Sequence, residues 1–326
     1  MIDFASKEEV DAILISGDLF DTNNVSNLYQ NLVKDVIISN PHILFFYLKG
    51  NHDNNSFLSC LDEIPNNLML FDEDWTSYDL GNGIVITGIE LTPDNSRVMS
   101  DSLLLEADKL NIVMLHGQES QYKSGDKAEV IAISELKNKG IDYLALGHVH
   151  ARKLEALDSR GKLCYPGCLE GRGFDECGEK GFMLLDIDED SLRITPSFVP
   201  FARRTIYELP VDVTGAKSSY DAERIIDGFI SDSDLSRDSL VRLVLVGQVS
   251  MDSDIETGYL TTHFRDAFYY VEIIDNTSFS VDYDSYEFDE SLKGEFVRVV
   301  KADTDLTDEE KALIIKTGID LLRDNR

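Results

Sequence analysis

Gly17-Asp18-Leu19-Phe20-Asp21, Gly50-Asn51-His52-Asp53, Leu115-His116-Gly117 and Gly147-His148-Val149-His150 each follow an apolar run. Together they hold four of the chain's 6 histidines. The runs before them, at Ala12–Ser16, 43–49, 112–115 and 143–146, read as strands. A parallel sheet whose strands end in oxygen- and imidazole-bearing loops gathers those loops along one edge. Asp, Asn and His donors suit Mn²⁺, Fe²⁺ or Zn²⁺, and two such ions clamp the attacking and leaving oxygens of a phosphoryl group. A lone Gly-Asp is a turn signal, and a lone His at a strand end is ordinary. Four such pieces in this order, each after an apolar strand, predict a metal-dependent phosphoesterase.

At these residues the sequence resembles the calcineurin-like metallophosphoesterase superfamily, whose motifs run D-x-H, G-D, G-N-H-[DE], H and G-H-x-H. Gly17-Asp18-Leu19-Phe20-Asp21 is similar to the branch of SbcD-like DNA-repair exonucleases. So is Tyr165-Pro-Gly-Cys-Leu-Glu-Gly-Arg-Gly-Phe174-Asp175-Glu176, followed by Gly178 and Lys180-Gly181-Phe182. The resemblance spans residues 5–200 and implies an α/β class with a four-layer αββα core and a smaller α+β capping domain. It implies one metal on Asp18, Asn51, His116 and His148. A second would use the bridging Asp18 and His150 with the Asp and His of the first motif. His52 would stabilise charge at phosphorus or protonate the leaving oxygen, with Asp53 orienting its imidazole. Asp21 sits where related nucleases place a further polar residue, and as a turn-capping Asp it would be unremarkable. The resemblance further implies two Mn²⁺ ions (Fe²⁺ or Zn²⁺ as alternatives), DNA as substrate, an SbcC-like coiled-coil ATPase as partner, a homodimer, and a cytoplasmic setting.

Upstream of Asp18 no Asp-x-His pair occurs, since Asp3 is followed by Phe4 and Ala5. The stretch from Met1 to Asp11 reads as the last turns of a helix leading into the Gly-Asp strand. We therefore expect Ala12–Ser16 to be an edge strand and the second metal to bind weakly. An inactive scaffold that only binds the ATPase is then one alternative, and a small-molecule phosphodiesterase or nucleotide phosphatase is another.

The 326 residues suggest two domains, and 43% hydrophobic content suffices for a buried core. No run reaches the ~18–20 apolar residues of a membrane span, and no basic-then-apolar leader opens the chain. Cys60, Cys164, Cys168 and Cys177 form no C-x-x-C pair, which fits a reducing compartment. A net charge of −31, from 61 acidic against 30 basic residues, argues against tight DNA binding by this chain alone. Polyanion binders carry a basic stripe that releases counterions.

Periodicity predicts a helix over 26–39 and strands over 68–71, 76–80 and 84–91. It predicts an amphipathic helix over 128–139, and paired strands at 162–165 and 181–187. From residue 201 the pattern becomes a capping domain to 282, with strands at 205–213, 239–247 and 269–275 and helices at 220–230 and 256–268. The acidic run 282–290 reads as a linker. Two helices close the chain over 283–326, at 291–301 and Asp308–Asp324. Thr307-x-x-Glu310 caps the second, whose stripe is Ala312, Ile315, Ile319 and Leu322. No P-loop occurs.

Codons upstream of Met1 are expected to encode an Asp-x-His pair, and restoring them should raise Mn²⁺-dependent hydrolysis by orders of magnitude. An in-frame stop without that pair would favour the scaffold role.

Overall fold

The computed structural model describes residues 1–20, 22, 25–53, 56–61, 63–121, 129–250, 253–281 and 283–324. Two compact units emerge. Unit 1 holds Met1–Glu170 and Lys180–Ala202; unit 2 holds Gly171–Glu179 and Arg203–Arg326.

Unit 1 begins α1 (Ile2–Lys7), β1 (Ala12–Ser16), α2 (Asn27–Ser39), β2 (Leu44–Leu48), α3 (Ser56–Ser59), β3 (Leu68–Leu70) and β4 (Thr76–Gly81). Next come β5 (Ile84–Gly88), α4 (Met99–Ser102), β6 (Leu110–His116), β7 (Gln118–Ser120), β8 (Val130–Ala132), α5 (Ile133–Leu136) and β9 (Tyr143–Gly147). It ends with β10 (Lys153–Ala156), β11 (Lys162–Tyr165), β12 (Gly181–Asp188) and β13 (Arg193–Pro200). One sheet has the order β1-β2-β3, all parallel, with β1 at its edge. The other has the order β10-β11-β9-β6-β5-β4, parallel except at its two outer strands.

Strand parity explains how these sheets stack. Side chains alternate across a strand, so Ala12, Leu14, Leu44, Phe46 and Leu48 leave the first sheet on one face, into a core shared with Ile86, Leu110, Ile112, Met114, Tyr143 and Ala145 of the second. The opposite face of the first sheet, with Ile13, Phe45 and Tyr47, packs on Ala5 of α1, Ile37 of α2 and Phe57 of α3. The far face of the second, with Val113, Leu115, Leu144 and Leu146, packs on Met99, Ile133 and Leu136. The result is the four-layer αββα order. Every residue of β6 is buried, as a parallel strand covered on both faces requires.

Two local expectations fail. Residues 130–132 pair in parallel with β7 instead of entering a long helix, and only Ile133–Leu136 turn helically. The β-branched Val130, Ile131 and Ile133 favour the extended form here, and Ala128 lies outside the described residues. Residues 162–165 and 181–187 do not pair with each other. Strand β11 lies between β9 and β10, whereas β12 pairs with β13, placing Met183, Leu185 and Ile187 on the inter-sheet core.

Unit 2 contains a parallel sheet of β14 (Ile206–Asp212), β15 (Leu240–Val246) and β17 (Tyr270–Asp275), with α6 (Ser219–Ser231) and α7 (Thr257–Phe264) between them in sequence. Ala222, Ile226, Leu260 and Phe264 of the helices bury against Val211, Val241, Leu243 and Ile273. Short strands β16 (Gln248–Ser250) and β18 (Ser278–Ser280) pair in parallel. The acidic stretch includes a 3₁₀ turn, Tyr283–Tyr286, whose Tyr286 joins α8 (Leu292–Ala302) and α9 (Asp308–Asp324) in a core of Val297, Val300, Ile315 and Ile319. Thr307 and Glu310 cap α9 reciprocally: the Thr307 amide donates to Glu310 Oε2 at 2.8 Å, and the Glu310 amide to Thr307 Oγ1 at 3.3 Å. The Leu322 side chain lies outside the described residues.

Asn67 pins the end of α2 to β2, its buried amide nitrogen lying 2.9, 3.0 and 3.1 Å from the carbonyls of Ile37, Asn40 and Ile43. Asn67→Ala removes the donor these three carbonyls share and is expected to cost about 1–3 kcal/mol, read as a lower urea midpoint at unchanged slope.

Candidate metal centre

Parity also aims the donors. His116 continues the 110-112-114 face of β6, so its ring points into the inter-sheet layer at the strand's C-terminal end. There it meets the loops that leave β1 and β2. His116 Nδ1 lies 2.9 Å from the Ser16 carbonyl, a group that can only accept, so Nδ1 carries a proton and Nε2 is the nitrogen left for a metal once its own proton is lost. Nε2 lies 2.8 Å from Asn51 Oδ1 and 3.3 Å from Asp18 Oδ2. His148 Nδ1 lies 3.2 Å from the same Asn51 oxygen. The donors of Asp18, His116 and His148 all fall within 4.8 Å of one another. Tetrahedral ligands at ~2.0–2.2 Å from an ion stand roughly 3.4 Å apart, so this donor set suits a divalent transition metal.

Each donor residue except His116 directly follows a glycine, and the space around those glycines shows why. A Cβ on Gly17 would land on His116 Nδ1, one on Gly50 on the Asp18 carboxylate, and one on Gly147 on the Ser16 carbonyl. These glycines and the Ser16 carbonyl are the functional positions that motif reading missed, although the repeated Gly-donor pair was visible in the sequence. Asp18 and His148 themselves adopt left-handed backbone, at φ 51° and 96°, a conformation that costs a non-glycine residue energy and needs support from its surroundings.

The electrostatics follow from this crowding. Burial alone would raise the Asp18 carboxyl, but the His116 hydrogen bond, the His52 amide and the nearby imidazole charges hold it below the usual carboxylate range. Burial would lower His116, but the bonds to Asp18 and Ser16 outweigh it and raise its pKa. Burial, then the neighbouring His116 charge, lowers His148.

Other expected site residues sit differently. His150 does not share a strand face with His148, because β9 ends at Gly147 and the left-handed His148 turns the chain. The His150 ring is outside the three-residue cluster, and its carbonyl accepts from Lys180 Nζ at 3.1 Å. His52 is exposed, and its amide donates to Asp18 Oδ1 at 3.0 Å. Asp53 does not orient the His52 ring; it accepts backbone amides from Leu19, Phe20 and Gly50. Asp21 lies outside the described residues. In unit 2, His263 lies 3.7 Å from Glu223 and clusters with Asp227, with the Asp227 and His263 side chains exposed.

Comparison with known proteins places this geometry in context. Residues 1–152 match the family model of the calcineurin-like phosphoesterases. The chain is 29% identical over 231 residues to the metallophosphoesterase YhaO of Bacillus subtilis, covering 67% of this chain and 55% of that protein. It is 31% identical over 208 residues to the DNA double-strand break repair protein Mre11 of Sulfurisphaera tokodaii, covering 58% and 52%. To Mre11 of Sulfolobus acidocaldarius it is 24% identical over 277 residues, covering 78% and 69%. The chain thus spans about half the length of the first two relatives.

Because His116 is raised by Asp18, the ion pair stabilises the metal-free fold below the ordinary His pKa, and that contribution is lost as pH rises through the raised value. Protons and metal compete for the same nitrogen. The thermal shift produced by saturating Mn²⁺ is therefore expected to be larger at about pH 8 than at about pH 6, measured by differential scanning calorimetry.

Proposed function

We propose, from the match of residues 1–152 to the calcineurin-like phosphoesterase family model, that this protein is a metal-dependent phosphodiesterase that acts on DNA as an SbcD-like repair nuclease. The observation that carries this reading is the convergence of Asp18, Asn51, His116 and His148 donors from four strand ends. Bound divalent ions, Mn²⁺ in this reading, supply an activated water and neutralise phosphate charge. Asp18 provides the one carboxylate of the set and can bridge two ions. Asn51 adds an oxygen without adding charge that would repel phosphate, and the two imidazoles bind neutral. His150 is the proposed protein ligand of a second ion beside the bridging Asp18. His52 is exposed, its amide bonds the Asp18 carboxylate, and its ring is the proposed proton donor to the leaving oxygen.

DNA as substrate rests on the Mre11 relatives, which are named for double-strand break repair. An SbcC-like ATPase partner is consistent with Leu313 and Ile314, exposed on α9, and a homodimer with Leu28, Tyr29 and Leu32, exposed on α2. Among the described residues Cys60, Cys164, Cys168 and Cys177 form no disulfide, which is consistent with a reducing, cytoplasmic setting. No helix among the described residues is long and apolar enough to cross a membrane. The net charge of −31 favours a second reading, a small phosphodiester substrate.

Chelator-stripped protein is expected to be inactive and to regain hydrolysis of labelled DNA and bis-p-nitrophenyl phosphate with Mn²⁺. Asp18→Ala or His116→Ala should abolish metal binding and turnover together. His52→Ala should lower turnover roughly 10²–10⁴-fold while metal content stays unchanged. Hydrolysis of the small ester without DNA would support the second reading, and metal binding without hydrolysis of either would support a scaffold.

A further inference from the structure

We propose that Asp53 is a positioning residue that clamps the Asp18 loop to the Asn51 loop and so sets the separation of the metal donors, without acting through the His52 ring. This rests on the metal-centre reading above.

The two loops leave neighbouring parallel strands, β1 and β2, and beyond the strand ends their amides have no ladder partners. Asp53 supplies the acceptors. Its Oδ2 accepts from Leu19 N at 3.2 Å and Gly50 N at 3.0 Å, and its Oδ1 from Phe20 N at 3.3 Å. A carboxylate has about four acceptor positions, and three are occupied by these amides. Reciprocally, Asp18 Oδ1 accepts from His52 N at 3.0 Å. Each loop therefore presents a carboxylate to the other loop's backbone, and the four bonds are charge-assisted, roughly twice as strong as neutral ones.

The clamp lands on the two segments that need holding. Leu19 and Phe20 follow Asp18 and its left-handed backbone, and Gly50 precedes Asn51 and passes against the Asp18 carboxylate. If the Leu19 and Phe20 amides were released, Asp18 would be free to relax toward ordinary backbone and withdraw from His116. The half-buried Asp53 also faces the buried Tyr47 hydroxyl, whose pKa is pushed up by burial and then by the Asp53 charge. A carboxylate there is shielded from water on the β2 side, which strengthens its hold on the amides.

The test combines three measurements on the full chain as wild type, Asp53→Asn and Asp53→Ala. Residue-resolved hydrogen–deuterium exchange on metal-free protein should show the Leu19, Phe20 and Gly50 amides protected in wild type and released in both variants. Mn²⁺ affinity by calorimetry should fall ~10–100-fold in Asp53→Asn. The pH–rate profile on bis-p-nitrophenyl phosphate at saturating Mn²⁺ should keep its shape. Rapid exchange of those amides in wild type overturns the clamp, and this readout needs no variant to fold. So does an Asp53→Asn protein with wild-type Mn²⁺ affinity, or one whose profile shifts while affinity holds, which would return Asp53 to the His52 ring. A wild type that binds no Mn²⁺ removes the metal-centre reading, while exchange in the metal-free protein still decides the clamp.

Discussion

The site depends on how closely two strand ends from different sheets approach each other. Gly147, at the end of β9, lies against the Ser16 carbonyl at the end of β1, with no room between them for a side chain. Ser16 also donates its hydroxyl to the Ala145 carbonyl at 3.2 Å, so the contact is stitched as well as packed. The same Ser16 carbonyl accepts the hydrogen bond of His116 Nδ1–H, so Nε2 is the nitrogen turned toward the other metal donors. One backbone oxygen of the three-stranded sheet thus orients an imidazole of the six-stranded sheet. The inter-sheet core of Leu14, Phe46, Met114 and Ala145 holds that approach in place.

Charge is distributed to the same end. The chain as a whole carries −31, which repels polyanions at long range. The four-donor set itself holds only one carboxylate among an amide and two imidazoles. A divalent ion there keeps a net positive charge, and an ion's own charge dominates its immediate surroundings. Attraction for a phosphodiester is therefore local to the loops, which suits a site that acts on a phosphate delivered to it better than one that captures DNA from a distance.

Strain and its compensation are also localised. The left-handed Asp18 and His148 each cost on the order of 1–3 kcal/mol and persist only where surrounding structure over-determines them. At Asp18 that determination comes from the His52, Leu19 and Phe20 amides, bound by two carboxylates. At His148 it comes from Gly147 and the end of a strand whose preceding residues, Tyr143 to Leu146, are fully buried.

Local chemistry made much of this legible in the residue order. The strands before each motif are continuous apolar runs, and those at β1, β2, β6 and β9 fall where hydrophobicity places them. The Thr307–Glu310 cap and the Ala312, Ile315 and Ile319 stripe likewise need only nearest neighbours along a helix. What depends on distant chain was not legible. Which strands β11 and β12 pair with is settled only in the folded chain, and a short apolar run carries no label for that. The i, i+2 spacing of His148 and His150 would put both on one face of a strand, yet the strand ends at Gly147, which lies against the Ser16 carbonyl. Asp53 read as a partner of the adjacent His52 because sequence shows only adjacency. In the fold the Leu19 and Phe20 amides donate to it, and unpaired backbone donors at a strand end are strong claimants for a carboxylate. The sequence alone determined which donors exist and in what order, because residue type and strand periodicity are local properties; only the tertiary structure decided which donors meet, because that depends on backbone approach between two sheets.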